Sequence, residues 1–313
     1  MQLAGALIAA ALAFAAPAQA QRLDDHTILV PGGITPGRQP DGNSILLEGP
    51  DGLVVFDTGR HKTHSDAILA ATGDRRIVAI VNSHWHLDHV SGNLRLRPLF
   101  PGLRVYGTGA IDGALTGFLK TSAAQGRQAL ASGKLSPSIA EDVRADLLTI
   151  DRGNELRPDI QLGGVQTLKL AGRNFMLGVS LHAATAADLW LYDPASKRLL
   201  AGDLVTLPAP FLDTACPEGW ADALATIDKL DFETLVPGHG PVMTHEDFRW
   251  WKNGFEDFLI CSGGERPMET CAGGWLAAAR HWLSEKEVAD FAGYAYYYGE
   301  LLRSGKLNKY CAA

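Results

Sequence analysis

The chain has 313 residues, 46% hydrophobic and 20% charged, which is enough apolar content for a substantial core and too much for a wholly disordered or collagen-like chain. With 28 basic against 35 acidic side chains the formal charge is −7, so there is no electrostatic reason to bind phosphate backbones or anionic lipid. No nucleic-acid partner is expected.

Leu3 to Ala16 is an uncharged apolar run of 14 residues, followed by Pro17 and the small-x-small triplet Ala18-Gln19-Ala20. A permanent membrane span needs about 20 apolar residues. The run therefore reads as a signal peptide over residues 1–20, cut after Ala20, although no Lys or Arg precedes it. It predicts a periplasmic or secreted protein with no stable membrane anchor after cleavage. The four cysteines, Cys216, Cys261, Cys271 and Cys311, have no C-x-x-C spacing, and an even count in an oxidising compartment suggests disulfides. Four cysteines allow three connectivities. Nearness in sequence favours Cys261–Cys271 with Cys216–Cys311, and four buried free thiols are the alternative.

After a short polar arm, Ser44 to Leu47 and Leu53 to Asp57 read as strands joined by the turn Gly49-Pro50-Asp51-Gly52. Ser65 to Ala71 reads as a short helix capped by Ser65, and Arg76 to Asn82 as an apolar strand. Strand, helix, strand in alternation indicates a layered α/β domain. Residues 110–148, rich in Ala, Leu, Gln, Lys and Glu, read as a helical insertion or lid. Strands resume at Leu168 to Leu170, Met176 to Leu181, Leu189 to Tyr192 and Arg198 to Ala201. A helix over Trp220 to Leu230 precedes a last strand, Thr234 to Val236. Thr244 and Asp247 have the spacing of a capping-box variant that opens a further helix. The tail from Trp275 to Lys306 is mostly helical and carries Tyr294, Tyr296, Tyr297 and Tyr298. The expected partition is a domain over 21–260 with a helical extension, 261–313, packed on it.

Chemistry concentrates in Asn82-Ser83-His84-Trp85-His86-Leu87-Asp88-His89, where four metal-capable side chains fall within six positions directly after a buried strand. At strand spacing His84 and His86 point to one side, while Asp88 and His89 lie on the following loop or first helical turn and face a neighbouring point. That geometry suits two adjacent cations. Three more ligand-type residues follow apolar strands: His182 after Val179-Ser180-Leu181, Asp203 after Leu199-Leu200-Ala201-Gly202, and His239 within Val236-Pro237-Gly238-His239-Gly240. Strand-end loops are where an α/β scaffold gathers distant residues into one site.

Together with Asn43-Ser44 and Asp57-Thr58-Gly59, these motifs resemble the metallo-β-lactamase superfamily over about residues 43–241. The resemblance implies an αββα sandwich with a two-metal site at one edge of the sheets. It also implies that His84, His86 and His182 hold the first metal, that Asp88, His89 and His239 hold the second, and that Asp203 bridges them. Two features depart from the commonest pattern. The stretch His182-Ala183-Ala184-Thr185-Ala186-Ala187-Asp188 lacks the family's His-Thr-x-Gly-Asp wording. Asp203 stands where antibiotic-cleaving members usually carry Cys or Ser, which is similar to the glyoxalase II and lactonase branches.

Five His and two Asp without a thiolate suit two Zn2+, and the same donors accept iron or manganese. Two such ions about 3.5–4 Å apart lower the pKa of a shared water towards neutrality, and the resulting hydroxide attacks a carbonyl. The leading reading is a zinc-dependent hydrolase acting on a small-molecule ester, lactone or thioester. Asp88 is expected to orient the nucleophile or relay its proton, and Asp57 to support the metal loop from behind. Competing readings are a periplasmic β-lactamase, an iron-dependent sulfur dioxygenase and a non-catalytic zinc-stabilised binding module. His61 and His64 read as solvated loop histidines, with one reaching the site mouth as the alternative. His245 reads as a helix-start residue, while His26 and His281 have no partner in sequence. The tail tyrosines pack the terminal helix or wall a pocket. The oligomeric state is unspecified.

Overall fold

Apolar runs between residues 21 and 244 assemble into two sheets in the computed structural model, which describes residues 19–34 and 37–311. The expected signal peptide lies outside the described residues, apart from Gln19 and Ala20. The first sheet takes its strands in chain order: β1 (Gln21–Asp24), β2 (Thr27–Val30), β3 (Ser44–Gly49), β4 (Gly52–Phe56), β5 (Ile77–Val81), β6 (Arg104–Gly107) and β7 (Ile160–Gln161). Pairing is antiparallel as far as β4 and parallel from β4 to β7. Each parallel crossover carries helices. Helix α1 (Lys62–Thr72) joins β4 to β5, the short α2 (Leu87–Val90) and α3 (Asn93–Leu96) join β5 to β6, and α4 (Ala110–Thr116), α5 (Phe118–Ala131) and α6 (Pro137–Asp151) form the insertion before β7.

The second sheet contains β8 (Val165–Leu170), β9 (Arg173–Leu181), β10 (Ala187–Asp193), β11 (Arg198–Thr206), β12 (Thr234–His239) and β13 (Met243–Thr244), in the spatial order β13-β12-β11-β10-β9-β8. Helix α7 (Pro217–Ile227) precedes β12, and α8 (His245–Gly263), α9 (Met268–Ala279) and α10 (Glu285–Arg303) close the chain. Strands β4, β10 and β11 are buried along their whole length, so they read as continuous apolar runs rather than alternating ones.

The burial pattern sets the layers. Ile45, Leu47, Val54 and Phe56 of the first sheet meet Phe175, Leu177, Leu189 and Leu200 of the second in one core between the sheets. A second cluster packs Ile68 of α1 against the outer face of the first sheet. The largest covers the outer face of the second sheet with Trp220, Phe248, Trp251, Phe255, Phe258 and Trp275. The result is the αββα sandwich with a helical insertion and a helical C-terminal layer. The three tryptophans also anchor the end of β11, because their indole N–H groups donate to the carbonyls of Leu204, Thr206 and Pro208 at 2.9 Å each.

Three local expectations change. The polar arm holds a hairpin, β1–β2, whose second strand is fully buried. Helix α1 begins at Lys62 rather than at Ser65, because the carboxylate of Asp41 accepts the backbone N–H groups of Arg60 (2.6 Å) and His61 (2.9 Å) and serves as a cap from another segment. Strand β11 runs on to Thr206, so Asp203 lies inside a strand. The capping box of Thr244 and Asp247 is present at the start of α8. Both favoured disulfides, Cys216–Cys311 and Cys261–Cys271, are formed. Among the described residues no helix is long and apolar enough to cross a membrane.

Candidate metal centre

The site is assembled where β4, β5, β11 and β12 end. Phe56 closes β4, and Asp57 then takes φ +59°, a conformation that a short polar side chain tolerates better than most. Its carboxylate accepts the backbone N–H of Ser83 (2.7 Å) and the Ser83 hydroxyl (2.6 Å), which locks the β5 exit against the β4 exit. The chain then places His84 and His86 before α2, and Asp88 and His89 on it. The His89 carbonyl accepts the Thr58 N–H at 2.8 Å. On the second sheet, the register of β11 against β12 slips on either side of Gly202, at Asp203, and β12 ends at His239. Asn43 ties the halves together, its side-chain amide donating to the carbonyls of Pro237 and Gly240 at 2.9 Å.

Two glycines are required by close approach rather than by turn geometry. A Cβ at Gly42 would strike the His89 ring, and one at Gly238 would strike the Asp203 carboxylate.

Six of the seven expected ligand residues converge, in two sets. One comprises His84, His86 and Asp203; the other comprises Asp88, His89 and His239; within each set the ligand atoms lie within 4.8 Å of one another. Asp203 straddles the sets: Oδ2 is 3.5 Å from His84 Nε2, while Oδ1 is 3.2 Å from His89 Nε2 and 3.6 Å from His239 Nε2. His239 Nε2 lies 3.1 Å from Asp88 Oδ2.

The seventh, His182, is in neither set. It takes φ +51°, its backbone N–H donates to the Ala186 carbonyl, and its Nδ1 meets the carbonyl of Tyr310 at 3.0 Å. Tyr310 precedes Cys311, whose bridge to Cys216 holds the chain terminus in that place. The structure thus brings His182 into neither set.

The hydrogen bonds around the rings orient them. Ser83 donates its hydroxyl proton to Asp57, so it accepts from His84 Nδ1 (2.9 Å) and leaves Nε2 bare. His89 Nδ1 donates to Asp57 Oδ2 at 2.8 Å and likewise leaves Nε2 for the centre. Asp57 thus stands behind the ligands. His84 Nε2 and Asp203 Oδ1 are buried without a hydrogen-bond partner. Buried nitrogen and oxygen atoms left bare within one cluster of His and Asp side chains fit a bound cation.

The electrostatics agree. Burial and the neighbouring His89 hold the His84 imidazole well below its ordinary range, which keeps it neutral and able to donate a lone pair. Burial likewise lowers His86. Burial opposes ionisation of Asp88 and Asp203, yet the adjacent imidazoles outweigh it and both carboxyls are held far below the carboxylate range. Burial also works against a charged His89, and Asp203, Asp57 and Asp88 together reverse that and raise it well above the histidine range. The carboxylates thus favour positive charge in the middle of the cluster.

Several residues escaped the sequence reading. Arg60 is buried, holds Asp146 of α6 with Nη1 at 2.6 and 2.7 Å, and lies 3.6 Å from Asp88. Thr214 accepts His86 Nε2 at 3.0 Å. Trp85 packs its ring edge-on to His86, and Phe211 does so to His239. The only advance signal for Arg60 was its place next to the Asp57-Thr58-Gly59 turn. His61 and His64 are not solvated: His61 bridges Asp41 (2.7 Å) and Asp142 (3.1 Å), and His64 is buried against Ser44 (2.8 Å). Tyr294, Tyr297 and Tyr298 line a cavity of about 420 Å³ with Asp213 and Asp290, and Phe211 also touches Tyr298.

The sequence profile of the metallo-beta-lactamase superfamily matches residues 37–239. The chain belongs to that superfamily. Members of the superfamily typically bind metal ions, and the two His/Asp sets are groups of the kind that can hold them. Solved structures of the same fold include a metallo-beta-lactamase from Pontibacter korlensis, 17% identical, at a TM-score of 0.55 over 76% of this chain and 99% of that one. They also include a double mutant of the sec-alkyl sulfatase PisA1, 16% identical, at a TM-score of 0.54 over 78% of this chain and 44% of that one. Among curated proteins, a linear primary-alkylsulfatase from Pseudomonas sp. (strain ATCC 19151) is 40% identical over 50 residues, 15% of this chain and 10% of that protein. The chain thus spans a small part of the curated relative it matches.

Proposed function

We propose that this chain is an exported dinuclear zinc hydrolase, with the two cations held by His84, His86, Asp88, His89, Asp203 and His239, acting on the carbonyl of an ester, lactone or thioester. The convergence of six imidazole and carboxylate side chains, two of whose atoms, His84 Nε2 and Asp203 Oδ1, are buried and bare, carries this reading. Imidazole and carboxylate without thiolate is a zinc-compatible donor set. When bound, such ions make water nucleophilic near neutral pH and stabilise negative charge developing on a carbonyl oxygen.

The protein's own part is positioning. Asp57 and Ser83 fix the rings of His84 and His89. Asp88, held ionised by His89, His239 and Arg60, is an acceptor that would orient the attacking water. Trp85 and Phe211 give the site apolar walls that favour a substrate with a hydrocarbon portion. The two disulfides and the apolar leader support residence outside the cytoplasm, and the core shared by α8 to α10 and the second sheet supports residues 261–313 as an extension of one domain.

A second reading is sulfate-ester hydrolysis, favoured by the 50-residue similarity to a linear primary-alkylsulfatase. Metal analysis coupled to a panel of aryl ester, lactone, thioester, nitrocefin and primary alkyl sulfate separates the two. Two zinc equivalents with turnover of a carbonyl substrate that His84→Ala abolishes is the expected result. Turnover of the alkyl sulfate alone would select the second reading, and metal-free protein would end both.

A further inference from the structure

The two cation positions differ in what this chain offers them. The set of Asp88, His89 and His239 is completed by Oδ1 of Asp203, giving two imidazoles and two carboxylates, all buried. The set of His84 and His86 has only Oδ2 of the same Asp203, giving two imidazoles and a share of one carboxylate, with His86 half-buried. His182 does not supply a further donor to that set, because its ring nitrogens fall outside the distance that gathers either set. Arg60 beside Asp88 does not cancel the advantage of the first-named position, since both oxygens of Asp146 already neutralise it at 2.6 and 2.7 Å. A dication gains from each carboxylate and each imidazole it meets, and burial strengthens that attraction.

The weaker position depends on a residue that is not a ligand. Thr214 is buried, and its hydroxyl donates to the Ala184 carbonyl at 3.2 Å. Its oxygen is therefore the acceptor for the proton on His86 Nε2, at 3.0 Å. That fixes the tautomer and leaves Nδ1 of His86 as the lone-pair nitrogen.

Building on the dinuclear reading, we propose that the two cation positions are unequal. Asp88, His89, His239 and Asp203 bind first and tightly; His84, His86 and Asp203 bind second and loosely, with Thr214 as the positioning residue that sets the second affinity.

The test is titration of Zn2+ into metal-depleted protein against a competing chelator, followed by calorimetry, with circular dichroism confirming the fold of each variant. Two steps separated by about 100-fold or more in affinity are expected. His239→Ala removes the tight step, while His182→Ala changes neither step. Thr214→Val weakens the second step by about 10- to 100-fold, as loss of an outer hydrogen-bond partner does, leaves the first within about threefold, and Thr214→Ser restores it. Two steps of equal affinity, or loss of a step on His182→Ala, would overturn the inequality while leaving the dinuclear reading intact. An unchanged second step in Thr214→Val would overturn the role of Thr214. A protein that binds no zinc would overturn the dinuclear reading itself and the inequality with it.

Discussion

The two flanks of the metal centre are held in place by different physics. On the insertion side, α6 is fastened by charge: Arg38 grips Asp142 at 2.5 and 3.0 Å, His61 reaches the same carboxylate, and Arg60 binds Asp146 while lying next to Asp88. On the C-terminal side the helices are fastened by burial of Trp220, Trp251 and Trp275 and by two disulfides. Charge pairs are directional and respond to salt and pH; apolar burial and covalent bridges do not. The difference teaches that the hold on one wall of the site depends on charge, and so on salt and pH, while the hold on the other rests on burial and covalent bonds.

Reduction of the Cys216–Cys311 bridge should have the largest effect on stability. It closes a separation of 95 residues, for which chain entropy gives about 4–5 kcal/mol, against roughly 2.5–3 kcal/mol for the separation of 10 closed by Cys261–Cys271. Denaturant melts of Cys216→Ser/Cys311→Ser and Cys261→Ser/Cys271→Ser proteins measure both, and equal losses would break the comparison on this side. Next, Trp275→Ala should cost about 3–5 kcal/mol and lower the whole unfolding transition, since Trp275 is fully buried and bonded to the Pro208 carbonyl.

On the other flank, Asp142→Asn should act locally. It removes the charge facing Arg38 and His61 and should cost about 1–3 kcal/mol, seen as faster hydrogen exchange in α6 while the Trp-rich layer stays protected. Raising the salt concentration in the unmodified protein should move exchange in the same direction, and equal loosening of α9 would contradict the contrast.

The smallest effect is a pH dependence. Burial lowers His61, but Asp41 and Asp142 on either side outweigh it and raise it above the ordinary histidine value. Its contribution is fully present below about pH 6.5 and is lost as pH rises through the raised value. Protection of α6 should therefore decline on the alkaline side of neutrality, and His61→Gln should flatten that decline. A rise in protection with pH would contradict the assignment.

How much of this was legible in sequence follows from distance along the chain. The 84–89 segment could be read because four donors sit on one strand exit, where side-chain alternation dictates direction. Asp203 and His239 could be read because apolar strands point to the residues at or near their ends. The same rule did not foresee the surroundings of His182, because strand spacing says nothing about a backbone that takes φ +51° and an imidazole met by a carbonyl 128 residues later. Arg60 with Asp146, and His86 with Thr214, are 86 and 128 residues apart, and no local pattern couples them. The layered fold was readable from its apolar runs. The first hairpin was not, since its outer strand is short and exposed.

The most direct test of the central claim is anomalous scattering at the zinc edge from crystals of zinc-loaded protein. Two peaks are predicted, one among Asp88, His89, His239 and Asp203, the other beside His84, His86 and Asp203. Absence of both peaks from this cluster, or a peak coordinated by His182, would contradict the account.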